Sequence, residues 1–177
     1  TGISIMKIEP KLDSGPVIMS EKIGISNQTN FVSLSKQMSD LGSKMILKCL
    51  DLIEKKKEHY ITQDETKATY AKKISKKESK IDWSDKAKVI VAKVNALNPN
   101  PGSWFEMNGY RIKTIKAIEI EKKGDPGIII DNSFIIGCSE NAVQILELQK
   151  EGKKPMSAEE FLRGNALKIG SKLSSNE

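Results

Sequence analysis

The sequence predicts an α/β fragment followed by a mostly β barrel with flanking helices. Three observations carry this prediction. Two strand-like runs and a long amphipathic pattern occupy residues 1–58, a charged stretch with few apolar residues follows at 59–78, and five short β-patterned runs lie between 79 and 177. We therefore divide the chain into residues 1–58, a basic linker at 59–78, and a C-terminal domain at 79–177.

The first segment alternates well enough for two strands, roughly Ile3–Ile8 and Pro16–Ile23, joined through "EPKLDSG". Thr29 is a candidate N-cap for the helical pattern that follows, which is one helix or two helices broken near Gly42. Two strands cannot bury both of their faces alone. Because the chain opens at Thr1 in the middle of such a pattern, we expect residues 1–58 to be the end of a larger domain, poorly ordered by themselves.

The linker "HYITQDETKATYAKKISKKE" concentrates positive charge. The whole chain has 29 Lys and Arg against 23 Asp and Glu, a net charge of +6. A cluster of like charges repels itself unless an anion binds, so the cluster is either a nucleic-acid surface or a solvated face. Five lysines lie between residues 67 and 77, and Glu78 is the one acidic residue in this second half of the linker. They are Lys67, Lys72, Lys73, Lys76 and Lys77. The lone His59 is interpreted as a solvated or C-terminal-turn histidine rather than a ligand or base, because no Cys, His or paired carboxylate accompanies it.

The third segment begins with "IDWS", in which Ser84 is a candidate cap for a helix that "NPNPG" ends. The strand-like runs "SWFEM", "YRIKTIKAIEI", "GIIID", "SFIIGC" and "AVQILELQ" follow, separated by turn sequences. Such a series suggests a small closed barrel. "MSAEEFLRG" then predicts a short helix with a capping box of Ser157 and Glu160.

Several classes of protein and site are not favoured. Cys49 and Cys138 are isolated, without metal-ligand spacing, and fit buried thiols of a cytoplasmic protein. No apolar run approaches the ~18 residues needed to cross a bilayer. No metal site is predicted, and the chain shows no association signal, so we expect a monomer without a membrane partner.

Asp13 is the candidate for chemistry. It lies in "KLDSGP", between a strand-like run and a sharp turn, with no histidine near it. The competing interpretation is a turn residue whose carboxylate accepts backbone N–H groups. The residues alone leave both interpretations open.

The ordered set "KLDSGPVI", "YAKKISKKESKIDWS", "NPNPGSW", "PGIII" and "LQKEGKKPMSAEEFLRG" resembles the methionyl-tRNA formyltransferase family across essentially the whole chain. The resemblance implies the end of a Rossmann-like formyltransferase domain, a linker, and an OB-like barrel that helps to hold tRNA. It also implies transfer of a formyl group from 10-formyltetrahydrofolate to the amino group of methionyl initiator tRNA. "LDSG" matches the family's L-D-x-G segment, which makes Asp13 the catalytic aspartate. The family's N-x-H motif and folate-binding loops are expected upstream of Thr1, so we expect these residues alone to be inactive.

The resemblance also favours RNA binding by the linker lysines, which would contact phosphates without reading sequence. Lys153 and Lys154 in "EGKKPM" form a second candidate patch. Trp83 could stack on a base but is more typical of core packing, and Tyr70 is interpreted in the same way. One departure is Asn100, where the family commonly has an aromatic residue; it leaves the packing of this corner open and does not touch the chemistry.

Two kinds of alternative remain at the level of sequence. The first is a formyltransferase-fold enzyme with another acceptor, either an amino sugar or the folate of a formyltetrahydrofolate hydrolase domain. The second is a non-catalytic RNA-binding module built on an OB-like barrel. Positive charge on the linker favours tRNA over the other acceptors.

Overall fold

The computed structural model of the chain describes residues 1–173. It forms two compact units, Thr1–Lys73 (unit 1) and Ile74–Glu177 (unit 2). The division lies inside the predicted linker. Residues 174–177, which belong to the predicted C-terminal domain, lie outside the described residues.

Unit 1 begins with the two predicted strands. Strands β1 (Gly2–Met6) and β2 (Val17–Lys22) pair antiparallel, with Ile3 opposite Glu21, and their register shifts between Ile5 and Met6. Each strand is slightly shorter than its apolar alternation suggested. The residues between them form the loop that carries Asp13.

A single long helix, α1 (Phe31–Glu54), follows. Asn30 caps it: the Asn30 side chain accepts a hydrogen bond from the Ser33 amide at 2.9 Å. The predicted cap, Thr29, instead accepts from the amide of Ser26 at 2.9 Å, which closes the preceding turn. The helix continues through Gly42, so of the two alternatives left open by the sequence the single helix is the one present. Its inward side chains, Met45 and Cys49, are buried.

The first part of the predicted linker folds back onto unit 1. The amide and carbonyl of Ile61 each form a 2.8 Å hydrogen bond with Val17 of β2. A short 3₁₀ helix, Glu65–Lys67, comes next, capped by the Asp64 side chain. These contacts give residues 61–67 defined positions within unit 1.

Unit 2 begins with an irregular segment that contains a turn at residues 76–79, followed by helix α2 (Ala87–Leu97). Ser84 does not cap this helix. Its amide and hydroxyl both donate to the Asp82 carboxylate, at 3.0 and 2.7 Å, which holds the pKa of Asp82 below its usual range. The helix starts instead at Lys86, without a side-chain cap, and the amide of Ala87 donates to the carbonyl of Glu140.

The five predicted strands are present and a sixth, short strand joins them. In order they are β3 (Ser103–Met107), β4 (Tyr110–Ile120), β5 (Ile129–Asp131), β6 (Ile135–Gly137), β7 (Ala142–Lys150) and β8 (Met156–Ser157). They form one antiparallel sheet in the order β3-β4-β7-β6-β5, with β8 paired to β7. Register shifts near Lys116 help the sheet to curl. Closure of this sheet into a barrel stays a prediction.

Helix α3 (Ala158–Gly164) ends the regular structure of unit 2. Ser157 accepts a hydrogen bond from the Glu160 amide at 3.1 Å, as predicted. The reciprocal bond from the Glu160 side chain is absent from the hydrogen bonds of residues 1–173, so half of the predicted capping box is present.

A row of aromatic rings forms the centre of unit 2. Trp83 packs edge-on against Phe105 at 5.5 Å between centroids, Phe105 against Phe134 at 6.1 Å, and Phe134 stacks on Phe161 at 5.9 Å. All four are buried, which confirms the interpretation of Trp83 as core. Cys138 is buried beside them, and burial raises the pKa of its thiol to about 12.

Candidate functional site

Asp13 lies in the loop between β1 and β2, with its backbone in the left-handed region at φ 54°. Aspartate tolerates this conformation better than most residues. Two residues later the chain passes very close to β1: a Cβ on Gly15 would lie 1.7 Å from the carbonyl oxygen of Lys7, so only glycine fits. The loop therefore contains a tight turn that presents the Asp13 carboxylate at the surface.

Gln63 holds this loop from the segment that follows α1. Its side-chain Nε2 donates to the carbonyl of Asp13 at 2.8 Å and to the carbonyl of Gly15 at 2.7 Å. Two residues further, Glu65 pairs with Lys11 on the same loop at 2.7 Å. With Ile61 paired to Val17, alternate residues 61, 63 and 65 all face the loop and its strand. We call residues 61–65 the strap.

The Asp13 carboxylate itself has no hydrogen bond or ion pair to another part of residues 1–173. The alternative role as a turn residue that accepts backbone N–H groups is thus not what the geometry shows. An exposed, unpaired carboxylate can accept a proton or orient a neighbouring imidazole. His59 is exposed, as predicted, and the described residues contain no cluster of side chains suited to hold a metal ion.

The predicted linker lysines are all exposed, but the two units share them. Lys67, which pairs with Asp64 at 3.1 Å, belongs to unit 1 with Lys72 and Lys73, whereas Lys76 and Lys77 belong to unit 2. The one acid among them, Glu78, accepts from the amide of Ser75 at 2.8 Å. Hydrogen bonds from Ser75 keep the pKa of Glu78 below its usual range, so its charge is directed at the backbone rather than at the lysines.

A cavity of about 300 Å³ lies on the surface of unit 2 beside β3 and β4. We call it the Trp104 cavity. Besides the 100–102 corner, its lining side chains are Lys76, Trp104, Arg111, Lys113, Gln149 and Glu151. Sequence reasoning singled out Trp83 and Tyr70 as aromatics and missed Trp104. The alternation in "SWFEM" was the available signal, since burial of Phe105 places Trp104 on the opposite face of the strand.

Tyr70 differs from its interpretation. Its side chain is 90% exposed, so it is not part of a core. Tyr70 lies in an irregular, exposed segment, so no apolar surface from its neighbours covers the ring. The sequence pattern alone did not reveal this. Tyr70 is therefore a surface aromatic residue among the exposed lysines of residues 67–77.

The second candidate patch, Lys153 and Lys154, lies in the turn after β7. Gln149 connects this turn to the Trp104 cavity, because its Nε2 donates to the carbonyl of Lys153 at 2.8 Å. Within unit 2, Lys76 of the first patch thus lines the cavity, and the turn that carries the second patch is hydrogen-bonded to a lining residue.

Comparison with protein families gives a match over the second half of the chain. A family model described as formyl transferase, C-terminal domain, matches residues 73–166. Curated methionyl-tRNA formyltransferases match nearly all of the chain. The protein from Pelagibacter ubique is 40% identical over 174 residues, 98% of this chain. The protein from Bradyrhizobium diazoefficiens is 35% identical over 176 residues, 97% of this chain.

The chain spans only part of these relatives, 56% of the Pelagibacter protein and 57% of the Bradyrhizobium protein. Solved structures resemble its fold. HypX from Aquifex aeolicus in complex with tetrahydrofolic acid matches with a TM-score of 0.69 at 20% identity, over 99% of this chain and 34% of that one. WlaRD, a sugar 3N-formyl transferase, matches with a TM-score of 0.63 at 19% identity, over 86% of this chain and 56% of that one.

Proposed function

The chain belongs to the formyl transferase family through its C-terminal domain, and from this premise we propose that it is part of an enzyme that formylates methionyl initiator tRNA. The observation that carries the proposal is the identity of 35–40% to curated methionyl-tRNA formyltransferases along nearly the whole chain. The whole enzyme would use 10-formyltetrahydrofolate as donor and act in translation initiation.

Asp13 is the residue of this chain to which we assign a part in the chemistry. Formyl transfer needs a neutral amine, stabilisation of a tetrahedral oxyanion, and passage of a proton from the amine to the leaving nitrogen. A carboxylate can orient an imidazole and stabilise its charged form. No N-x-H sequence occurs in the 177 residues, so we propose that the Asn and His come from another part of the whole protein.

The residues around Asp13 supply only part of what a binding site for the formyl donor needs. They offer a carboxylate, but neither of the two cavities found among the described residues is lined by unit 1. We therefore propose that the folate is bound mainly by the rest of the enzyme, and that this chain alone does not catalyse transfer. No metal is assigned a role.

For unit 2 we propose an OB-like, tRNA-binding domain, with unit 1 as the end of a Rossmann-like domain. The likeness to HypX and to the sugar formyltransferase supports the shared fold. At 19–20% identity it carries nothing about the acceptor. The choice of tRNA over an amino sugar or a folate therefore rests on the curated relatives and on the exposed lysines.

We also propose that the protein is a cytoplasmic monomer. Two buried free thiols suit a reducing compartment, and initiator tRNA is found where translation takes place. Separately, no helix within residues 1–173 is long and apolar enough to cross a membrane.

The test is a salt series of binding between this chain and initiator tRNA, with a single-stranded RNA of equal length as control. We expect preference for tRNA and a steep loss of affinity with salt, because lysines replace counterions on phosphates. Changing Lys72, Lys73, Lys76 and Lys77 to Gln should flatten the slope of log K against log salt by up to about 3.

The matched control changes four exposed lysines of unit 1, Lys36, Lys44, Lys48 and Lys57, to Gln, which alters net charge equally. Equal losses of affinity in the two variants would remove the support for a tRNA surface at the linker. A formyl-transfer assay completes the test. Turnover by these 177 residues alone would contradict the proposal that the donor site and catalytic partners lie elsewhere.

A further inference from the structure

The Trp104 cavity is built by a relay of hydrogen bonds that starts at the indole. Trp104 Nε1 donates to the hydroxyl of Ser79 at 3.2 Å, and that hydroxyl donates to the carbonyl of Lys76 at 2.7 Å. Backbone bonds between the same segments, from the Trp104 amide to Ser79 and from the Ile81 amide to Trp104, fix the pairing. Ser79 is fully buried. The relay places the lysine-rich turn against the cavity as a defined element.

Arg111 forms one wall. Its guanidinium carbon lies 3.8 Å from the centroid of the Trp104 ring, a stacked cation–π arrangement. Arg111 makes no ion pair with a carboxylate within residues 1–173. A stacked guanidinium keeps the N–H groups at its edge available, and that fork suits phosphate oxygens.

The charge around the cavity is positive on balance. Lys76, Arg111 and Lys113 contribute three cations, and Glu151 contributes one carboxylate. The Lys113 ammonium is held in place, because it donates to the carbonyl of Pro99 at 2.5 Å. The cations therefore surround a half-buried aromatic ring in a concave site.

The size suits a small polar ligand. A volume of about 300 Å³ is at the lower end of the range for ligand pockets, enough for one nucleotide and too small for an extended cofactor. Single-stranded nucleic acid is commonly held by an aromatic or Arg plane on which a base stacks, with cations nearby for the backbone. Trp104, Arg111, Lys76 and Lys113 supply both elements.

We propose that the Trp104 cavity binds one unpaired, phosphate-bearing nucleotide of the tRNA, with Arg111 and Lys113 on the phosphate and the Trp104–Arg111 stack against the base. This inference rests on the proposed function, since it takes tRNA as the substrate. It adds a site in which Arg111, Lys113 and Trp104 act beside the predicted lysines, and it assigns Glu151 an opposing, weakening role.

The chain offers a direct optical test, because it has two tryptophans. Trp83 is fully buried, whereas Trp104 faces the cavity and is partly exposed. Titration with initiator tRNA should quench the emission of Trp104 and protect it from iodide. Trp83→Phe should keep this response and Trp104→Phe should lose it. Binding is followed in parallel by electrophoretic mobility.

The charge test has arms of opposite sign. Arg111→Gln combined with Lys113→Gln should weaken tRNA binding about tenfold at low salt. Lys88→Gln combined with Lys123→Gln, two exposed lysines that do not line the cavity, is the matched control and should weaken it less than about threefold. Glu151→Gln should strengthen binding about twofold, because it removes the one carboxylate near the phosphate.

The outcomes separate the two proposals. Binding of tRNA with unchanged Trp104 emission, or equal losses in the two double variants, would overturn the cavity while the proposed function stands. Absence of tRNA binding by the folded wild-type chain would overturn the cavity and the tRNA-binding role proposed for unit 2. Quenching confined to Trp104, with the predicted order of affinities, would establish the site.

Discussion

Units 1 and 2 are stabilised in different ways. Unit 2 buries a continuous apolar core around four aromatic rings. Among the described residues of unit 1 only Met45 and Cys49 are buried apolar side chains, while Ile8, Leu12 and Leu47 are 90%, 87% and 65% exposed. Strand pairing, the Asn30 cap and the strap hold unit 1 instead. Regular secondary structure therefore does not by itself indicate a self-sufficient core.

Hydrogen exchange of the intact chain tests this contrast most strongly. We expect amides at the centre of β4 and β7 to exchange about 10³-fold more slowly than those of β1 and β2, because only the former open by losing a core. Mass spectrometry or NMR with residue resolution measures both sets in one sample. Comparable protection across residues 3–6 would contradict the proposed difference in stability between the two units.

Phe105→Ala should be the most damaging single truncation among the substitutions considered. Phe105 is fully buried and touches both Trp83 and Phe134, so we expect a loss of about 3–5 kcal/mol in the free energy of unfolding of unit 2. Leu47→Ala in α1 is the contrasting variant, expected to stay within about 0.5 kcal/mol because its side chain is already mostly in water. Denaturant unfolding followed by Trp83 emission for the first, and by helical circular dichroism for the second, decides it.

Asn98→Asp tests the hydrogen bonds of a partly buried side chain in unit 2. The Asn98 amide nitrogen donates to the carbonyls of Val94, Thr114 and Ile115 at 2.9–3.0 Å, and a carboxylate there would face three acceptors. We expect a loss of about 2–3 kcal/mol at neutral pH. Asn100→Asp, at an exposed position that also precedes a proline, is the control and should be nearly neutral. Equal stabilities of the two variants would contradict the assignment.

Gln63→Met is the corresponding test in unit 1, with a smaller expected effect. It removes both hydrogen bonds from the side-chain nitrogen to the Asp13 loop. Because the loop is partly exposed, we expect a loss of about 1 kcal/mol in the free energy of unfolding of unit 1. The change should appear as faster amide exchange confined to residues 11–15. Gln37→Met on the exposed face of α1 is the control. A uniform effect over the whole of unit 1 would show that Gln63 supports the fold rather than the loop.

Most elements could be predicted from the sequence because their signals are local. Alternation located seven strands, β1 to β7, and helical spacing located α1 and α2. The caps were harder: Asn30 rather than Thr29 begins α1, and Asp82 takes the hydrogen bonds of Ser84 before it can cap α2. Neighbouring side chains compete for the same backbone groups, and composition does not reveal which of them prevails.

The features missed by sequence reasoning depend on distant pairings. The strap looked like a charged linker because its contacts join Ile61 and Gln63 to residues nearly fifty positions earlier, as the 48-residue separation of Gln63 and Gly15 shows. The Trp104 cavity likewise requires the segment around Ser79 to lie beside β3. Asp13, in contrast, was identified from a short motif. Its chemistry and the lysine contacts stay predictions.

The shape of the Trp104 cavity depends on a glycine at position 102, so the residue type at this corner can be compared among related proteins. Its φ is 81°, and a Cβ there would lie 2.0 Å from Cε of Lys113, so any side chain would displace the lysine stem that forms one wall. A substitution here would therefore strain the backbone and change the shape of the cavity. Among proteins that share this domain, those with a larger residue at the same corner are expected to lack this pocket.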